Sequence, residues 1–555
     1  MRTAVAEPRH TNDDERTVRE GSPLVDASLG AAGGVQPAAV ASKWMRPDRF
    51  SDSVAIMLSL TAVQRLVGFG RNVAICMLLG AYEVGQWDMA FGFLTLAAPI
   101  AVLSLPAAFG RYVEYYRQRG QLRTFLRRVA TATVAMAVVA TLAIGFGAER
   151  FSQWLYDTSE HAGLMRVIAA TLMANILYNV VAELFTALRM QRIASGMEFV
   201  QSLAFATVGV ALVAAWDNRA ASVAAAYGIG CLLALAMSSV WLWHSWREIP
   251  ATDQPTSHAR FWAKVIPFVG WVWVSNWLVN LYMFIDRYMV IHFSRLPNEA
   301  ATALVGQYYS SRLVPMLLVS VTTMLSGIMI PFLSRDWEIG RLDRLSARLN
   351  LLTKLTAVGL TATAALVLAG APILFGVLLK GKFDVGLEML PWTLMYFAWF
   401  GIMCIARVYL WCAEKVWLVS IAYLGGLVVN IGLNLMLVPP LGLLGAVLGT
   451  CAANFVALAL VLGISTVNGL RLDRATWLVS LLPVTLVLGL WGALLGTAAA
   501  IVVSLKTELL FTEEDRRELI SIARRYQEKF LRRGPTGVGA PRSAAVPAAA
   551  APSVE

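Results

Sequence analysis

Residues 442–466 read GLLGAVLGTCAANFVALALVLGIST, twenty-five positions without one charge. As an α-helix this stretch is about 37 Å long, more than the roughly 30 Å of bilayer hydrocarbon. Its apolar residues run solidly rather than alternating, which excludes a strand of a membrane β-barrel. Eleven comparable stretches precede it, at 53–79, 87–108, 126–147, 163–187, 197–215, 222–243, 263–290, 303–333, 350–378, 388–410 and 416–437. The expected fold class is an all-α polytopic membrane protein of twelve spans. A further apolar stretch, 476–504, is long enough for one tilted helix or a re-entrant hairpin, but short of two full crossings.

Composition agrees with that reading. Of 555 residues, 58% are apolar and only 15% charged, where soluble domains carry roughly 25% charge. Mean hydropathy is +0.63. A soluble enzyme, a secreted disulfide scaffold and a disordered hub are excluded. The net charge of +11 reads as the positive-inside bias of a multi-pass protein. No basic patch interleaved with aromatics sits on a soluble domain, so nucleic acid is not an expected partner. Cys76, Cys231, Cys404, Cys412 and Cys451 lie in or beside apolar runs with no CxxC or Cys/His cluster. They read as packing residues, and no metal site is expected.

The chain divides into a disordered cytoplasmic tail (1–44), an N-lobe of six helices (45–243), a cytoplasmic linker (244–262), a C-lobe of six helices (263–466) and an additional membrane segment (467–510). An amphipathic basic helix (511–533) and a second disordered tail (534–555) complete it. No apolar segment begins before about Val54, so the first span serves as an uncleaved signal-anchor. Twenty-two Lys and Arg fall in one set of loops. The alternate set holds five, Arg150, Arg219, Arg295, Lys380 and Lys382. The N-terminus is therefore expected in the cytoplasm of a bacterial inner membrane. The basic 511–533 segment also belongs there, which favours the hairpin for 476–504.

The lobes repeat each other. Val84-Gly85-Gln86-Trp87 opens the second span and Val305-Gly306-Gln307-Tyr308 opens the eighth. Such parallel repeats fit transporters whose halves are related by an axis along the membrane normal.

Charge at bilayer depth costs at least about 2.5–3.5 kcal/mol, so it faces a cavity or a partner. The first span carries Arg65, Arg71 and Asn72; the fourth, Asn179 and Glu183; the seventh, Asn280, Asp286 and Arg287. The eighth carries Gln307 and Arg312, and the tenth Arg407. Asn residues also serve as interhelical hydrogen-bond glue, and Asp286 with Arg287 can form a local ion pair. Arg65 and Arg407 have no acid nearby in their own spans. An excess of arginine over acid suits an anion, because guanidinium matches phosphate in a bidentate fork. Trp271, Trp273, Trp277 and Tyr282 offer faces for sugars, or a membrane-interface belt. No GxxxxGK[ST], GxSxG or HExxH is present, and the long external loops of a lipid-linked glycosyltransferase are missing. No catalytic residue and no cofactor is expected, and the chain reads as moving a substrate rather than transforming it.

Asp286-Arg287-Tyr288-Met289, then Val305-Gly306-Gln307-Tyr308-Tyr309 and Pro331, resemble the seventh and eighth helices of polysaccharide-transport flippases. These belong to the multidrug/oligosaccharidyl-lipid/polysaccharide (MOP) exporter superfamily. Asn434 to Pro439, with Gly442 and Leu444-Gly445-Ala446, is similar to that family's junction between helices eleven and twelve. Gly376, Gly381, Lys382 and Phe383 resemble its loop after helix nine. The resemblance implies a MATE/MOP-like fold, two six-helix lobes around a central cavity. It implies translocation of a polyprenyl-pyrophosphate-linked oligosaccharide by alternating access, for exopolysaccharide, capsule or O-antigen, usually coupled to an ion gradient (H⁺ or Na⁺) or to the membrane potential. Pyrophosphate and glycan would sit among Arg65, Arg71, Arg287 and Arg407. Asn72, Asn179, Glu183, Asn280, Asp286, Gln307 and Arg312 would be cavity or coupling residues. Membrane lipids, a polysaccharide polymerase and glycosyltransferases are the implied partners. A cation-coupled multidrug exporter and a lipid II flippase of the same superfamily are the alternatives. A membrane glycosyltransferase or polymerase is a third, from another class.

Overall fold

The computed structural model describes residues 50–250 and 257–506. The expected tails 1–44 and 534–555, and the helix expected over 511–533, lie outside the described residues. Every described element is helical. In chain order these are α1 (Phe50–Leu78), α2 (Ala81–Ala101), α3 (Ala107–Gln118), α4 (Leu122–Phe146), α5 (Ala148–Tyr156), α6 (Ala162–Ala187), α7 (Gln191–Ala215) and α8 (Ala220–Glu248). The second half holds α9 (His258–Phe293), α10 (Asn298–Glu338), α11 (Leu342–Pro372, continued by a π-turn at Ile373–Leu378), α12 (Asp384–Ala406), α13 (Val408–Cys412), α14 (Val416–Leu441) and α15 (Leu443–Val467). Then come α16 (Arg474–Ser480), a 3₁₀ turn (Leu482–Leu488) and α17 (Gly489–Lys506). Eleven described helical segments are long and apolar enough to cross a membrane.

Apolar run length locates the spans but not their ends. The second expected span, 87–108, is α2 starting six residues earlier and stopping at Ala101. The chain then turns through Leu103 and Ser104, both at positive φ. It continues as α3, which buries Ala108, Phe109, Val113 and Tyr116 and turns Arg111 and Glu114 out. Residues 148–162, expected as a loop holding Arg150, contain α5. Its Glu149, Arg150 and Gln153 lower the hydropathy, yet Leu155 and Tyr156 are fully buried. Phe151 and Trp154 pack against Phe93 of α2, and the Tyr156 hydroxyl donates to the Gln86 carbonyl at 3.0 Å. Arg150 therefore sits in the first turn of a helix packed along α2.

The 476–504 stretch is a hairpin. Gly489 has φ +73°, left-handed backbone that glycine adopts without strain. The Thr485 carbonyl lies 2.8 Å from where a Cβ on Gly492 would stand, and the Thr485 side chain comes within 2.6 Å of that position on Gly496. In a straight helix residues 485 and 496 would be about 16 Å apart along the axis. The chain thus reverses at Gly489, and the start of α17 folds back along the 3₁₀ turn. Asn350 of α11 anchors the first arm, donating to the Arg471 carbonyl at 2.7 Å and accepting from the Thr476 hydroxyl at 2.8 Å. The Trp399 indole of α12 donates to the Ser480 carbonyl at 2.9 Å.

The spanning helices form two bundles, α1, α2, α4, α6, α7 and α8 in the first and α9, α10, α11, α12, α14 and α15 in the second. The loops rich in Lys and Arg share one face of the molecule, called here the basic face. At the opposite face the two VGQ repeats meet. A Cβ on Gly85 would run into the Thr302 carbonyl of α10, and one on Gly306 into the Ala81 carbonyl of α2. Only hydrogen in place of a side chain lets the helices approach this closely. The repeated sequence is therefore a reciprocal crossing that shuts this end of the seam between the bundles.

Candidate functional site

Beneath that crossing lies a cavity of about 270 Å³ between the bundles. α1 contributes Arg71 and Asn72, and α2 contributes Trp87, Asp88 and Phe91. From the second bundle come Asn280, Asp286 and Arg287 of α9, Tyr308, Tyr309 and Arg312 of α10, Tyr396 of α12, and Thr450 and Asn454 of α15. Of the residues anticipated from sequence, the cavity brings together Arg71, Asn72, Asn280, Asp286, Arg287 and Arg312.

Asp88, which sequence reading missed, stands at its centre. Its Oδ1 accepts from Arg287 Nη1 at 2.9 Å, and its Oδ2 pairs with Arg312 Nη2. Asp88, Arg287 and Arg312 are 2%, 7% and 3% exposed, so the triad is buried. Since α2 belongs to one bundle and α9 and α10 to the other, both ion pairs cross the seam. Gly92, one heptad beyond Gly85, is open enough for Phe284 and Arg287 to reach α2. The signal for Asp88 was present, an acid directly after the first VGQ repeat. The expected span begins at Trp87, which leaves Asp88 at its edge.

Asp286 forms a separate polar chain inside the second bundle. Its carboxylate accepts from the Tyr308 hydroxyl at 2.8 Å, and Tyr308 shares a hydrogen bond with Tyr396 at 2.9 Å. Thr450 reaches the same carboxylate oxygen at 3.5 Å. Asn430 of α14 donates to Thr450 of α15 at 3.2 Å, the interhelical role asparagine commonly plays in a bilayer, and Asn434, one turn along α14, donates to Asn430 at 2.9 Å. The Asp286–Arg287 ion pair is the longer one, 3.8 Å.

Arg71 differs from the other two arginines. Its Nε and Nη2 donate to Asn72 Oδ1 at 3.1 and 3.0 Å, and its guanidinium lies 4.0 Å over the Phe205 ring. No carboxylate pairs with it among the described residues. The lining holds three guanidinium groups (Arg71, Arg287, Arg312) and two carboxylates (Asp88, Asp286), so the excess positive charge rests on Arg71. The Tyr282 hydroxyl and Asn454 Oδ1 line the same cavity, buried and without hydrogen-bond partners. A buried polar group left unpaired is costly.

The remaining anticipated residues lie elsewhere, because span membership says nothing about which face a helix turns to the seam. Arg65 is exposed on α1, where its charge is felt by Glu198 of α7. Arg407 lies at the α12–α13 break, donating to the Tyr423 hydroxyl at 3.2 Å behind Tyr282. Asn179 and Glu183 line a second cavity of about 150 Å³ with Asn276 and Ser104. Gln307 ties down the loop before α12, donating to the Lys382 carbonyl at 2.9 Å and accepting from the Gly386 amide at 3.2 Å. Trp271 and Trp277 are exposed, and of the aromatic group on this helix only Tyr282 lines the cavity.

Residues 50–337, more than half of the chain, match the family described as polysaccharide biosynthesis protein. The chain belongs to this family. No curated protein matches it. Among solved structures it is similar to the lipid II flippase MurJ in an inward closed conformation, with TM-score 0.62, 13% identity, and 86% of this chain and 99% of that chain covered. It is similar also to an inward-facing MATE multidrug resistance transporter of the MOP superfamily, with TM-score 0.57, 14% identity, and coverage of 75% and 98%. A MOP superfamily transporter from Pyrococcus furiosus, described by the reverse polarity of its binding pocket, aligns with TM-score 0.55, 14% identity, and coverage of 77% and 97%. The fold of this polysaccharide biosynthesis family member is thus the MATE/MOP type, two six-helix lobes with an added C-terminal membrane hairpin.

Proposed function

We propose that this protein is a flippase that carries a polyprenyl-pyrophosphate-linked oligosaccharide from the cytoplasmic to the outer leaflet of a bacterial inner membrane. The observation that carries this reading is Arg71, a guanidinium free of any carboxylate, held in a cavity walled by aromatics between the two lobes. A pyrophosphate offers the oxygen pairs that guanidinium binds best. The rings of Trp87, Phe91 and Tyr309, with the unpaired Tyr282 hydroxyl and Asn454 carbonyl oxygen, suit the apolar faces and hydroxyls of sugars. Arg65 stands on the same helix about 9 Å toward the basic face, where it would meet the headgroup on entry. In this reading the basic face is cytoplasmic, as is the N-terminus, and the closed VGQ crossing faces outward. Asp286, with its ring of hydroxyl and amide partners, is the proposed site at which H⁺ or Na⁺ coupling acts. A polymerase and glycosyltransferases would act before and after transport.

The test is the lipid extract of cells lacking the protein. The expected result is accumulation of polyprenyl-pyrophosphate oligosaccharide with loss of surface polysaccharide, and R71A should reproduce it at normal protein level. Losing a charged hydrogen-bonding partner costs about 1.5–3 kcal/mol, roughly 10- to 100-fold in affinity. An unchanged lipid pool with new sensitivity to cationic drugs would instead select the multidrug exporter. Accumulated lipid II would select the peptidoglycan precursor as cargo.

A further inference from the structure

In the Arg287–Asp88–Arg312 triad two guanidinium groups converge on one buried carboxylate. Two guanidinium groups converging on one buried anion are the arrangement that binds a phosphate, and here the anion belongs to the opposite lobe. Both ion pairs tie α2 to α9 and α10, just below the Gly85–Gly306 crossing that shuts the seam. Opening that face requires α2 to leave α9 and α10, which would strip Asp88 from two buried cations. Removing one partner from a buried ion pair is strongly unfavourable because the other charge stays uncompensated. An empty protein is therefore held shut. A ligand shifts such an equilibrium only if it interacts differently with the two states. A pyrophosphate can do so, because it has two phosphates. Arg71 can hold one without losing any carboxylate, and the other then lies in the same cavity as Arg287 and Arg312.

We propose that Asp88 is a built-in stand-in for a phosphate of the cargo. It fills the Arg287–Arg312 site in the empty, closed protein, and a pyrophosphate anchored on Arg71 displaces it, freeing α2 so that the outer face opens. The proposal rests on the phosphate-binding reading above and adds to it how binding is converted into motion. As α2 swings away, Asp88 passes to the widening seam, where water solvates it, while the arginines keep an anion throughout. The opening is then conditional on a ligand with two phosphate groups, and a monophosphate that occupies Arg71 alone leaves the latch in place.

The experiment uses the full chain in lipid nanodiscs with spin labels at S159C and E299C, exposed positions on the two lobes at the closed face. The native cysteines are all buried. The probe is inorganic pyrophosphate, with orthophosphate alongside. The expected result in the otherwise unmodified protein is a longer inter-label distance with pyrophosphate and none with orthophosphate. D88N should show the long distance without ligand and bind pyrophosphate at least tenfold more tightly by calorimetry, since the internal competitor is gone. D88E, which keeps the charge, should stay closed and respond to pyrophosphate. Its response guards against a D88N protein that fails to fold. Pyrophosphate that binds while the distance stays short overturns the displacement alone. So does a folded D88N that stays closed with unchanged affinity. Absence of pyrophosphate binding in the native-cavity protein, R71A and D88N alike overturns both the displacement and the phosphate reading on which it rests.

Discussion

Asp88 and Arg71 show how much a single side chain's role depends on its neighbours. Both are charges placed at membrane depth by the sequence, and both were bound to be expensive unless paired or functional. One is neutralised from two directions, the other from none, and the proposed latch and ligand site differ in that alone. The same scale carries a pH prediction at the closed face. His161, in the α5–α6 connection, hydrogen-bonds the Tyr82 hydroxyl at 3.1 Å and Gln86 at 3.3 Å. Burial lowers its pKa below the usual histidine value, with Glu160 opposing. The folded state therefore binds fewer protons than the unfolded one. The stability contributed is present above the unfolded value near 6.5 and is lost as pH falls through the lower folded value. Melting temperature should drop on acidification below about pH 6.5, and H161Q should flatten that part of the profile. An identical slope in the variant would show that another group is responsible.

Among the elements, two glycine contacts set the architecture. The VGQ repeat was legible as a repeat, and its three identical residues, each followed by an aromatic, pointed to two equivalent helices. That the two copies press against each other was not legible, since a repeat gives equivalence and not contact. A methyl at Gly306 would collide with the Ala81 backbone, which cannot yield as a flexible side chain can. G306A should therefore push the α2–α10 seam apart. Labelling of a cysteine introduced at Ala81 is expected to become faster, by roughly the tenfold that 1.4 kcal/mol of gate destabilisation implies. Unchanged labelling would mean that this crossing is not the barrier. α5 teaches the complementary lesson. Its apolar residues lie on one face, so a criterion based on unbroken runs reads a loop where packing against Phe93 and Gln86 makes a helix.

For the molecule as a whole, the number of crossings decides which side the C-terminal region occupies. The 474–506 segment reverses at Gly489, with Thr485 seated against Gly492 and Gly496, and a full hairpin would bring the chain back to the side it left. Topology reporters fused after Val467 and after Lys506 should report the same compartment. Opposite compartments would require 474–506 to cross once and would reject the hairpin. The charged triad and the aromatic cavity lie where α2 meets α9 and α10, the surface that rearranges in the proposed transport cycle.

What the amino-acid sequence alone determined is what solvent partitioning decides. Apolar runs of sufficient length must be transmembrane helices, lysine and arginine segregate by loop, and the two halves repeat. The resemblance in the seventh, eighth and eleventh helices pointed to the MOP exporters, and the fold agrees. Six of the eleven anticipated polar residues share one cavity because intramembrane charge has few other places to go. The tertiary structure alone decided which charges meet. Pairing Asp88 with Arg287 and Arg312 joins residues 199 and 224 positions apart. The rotation of each helix about its axis, set by close packing along the whole interface, fixes it. Hydropathy is blind to that rotation, so it placed Arg65 and Arg407 with Arg71 and left Asp88 at the margin.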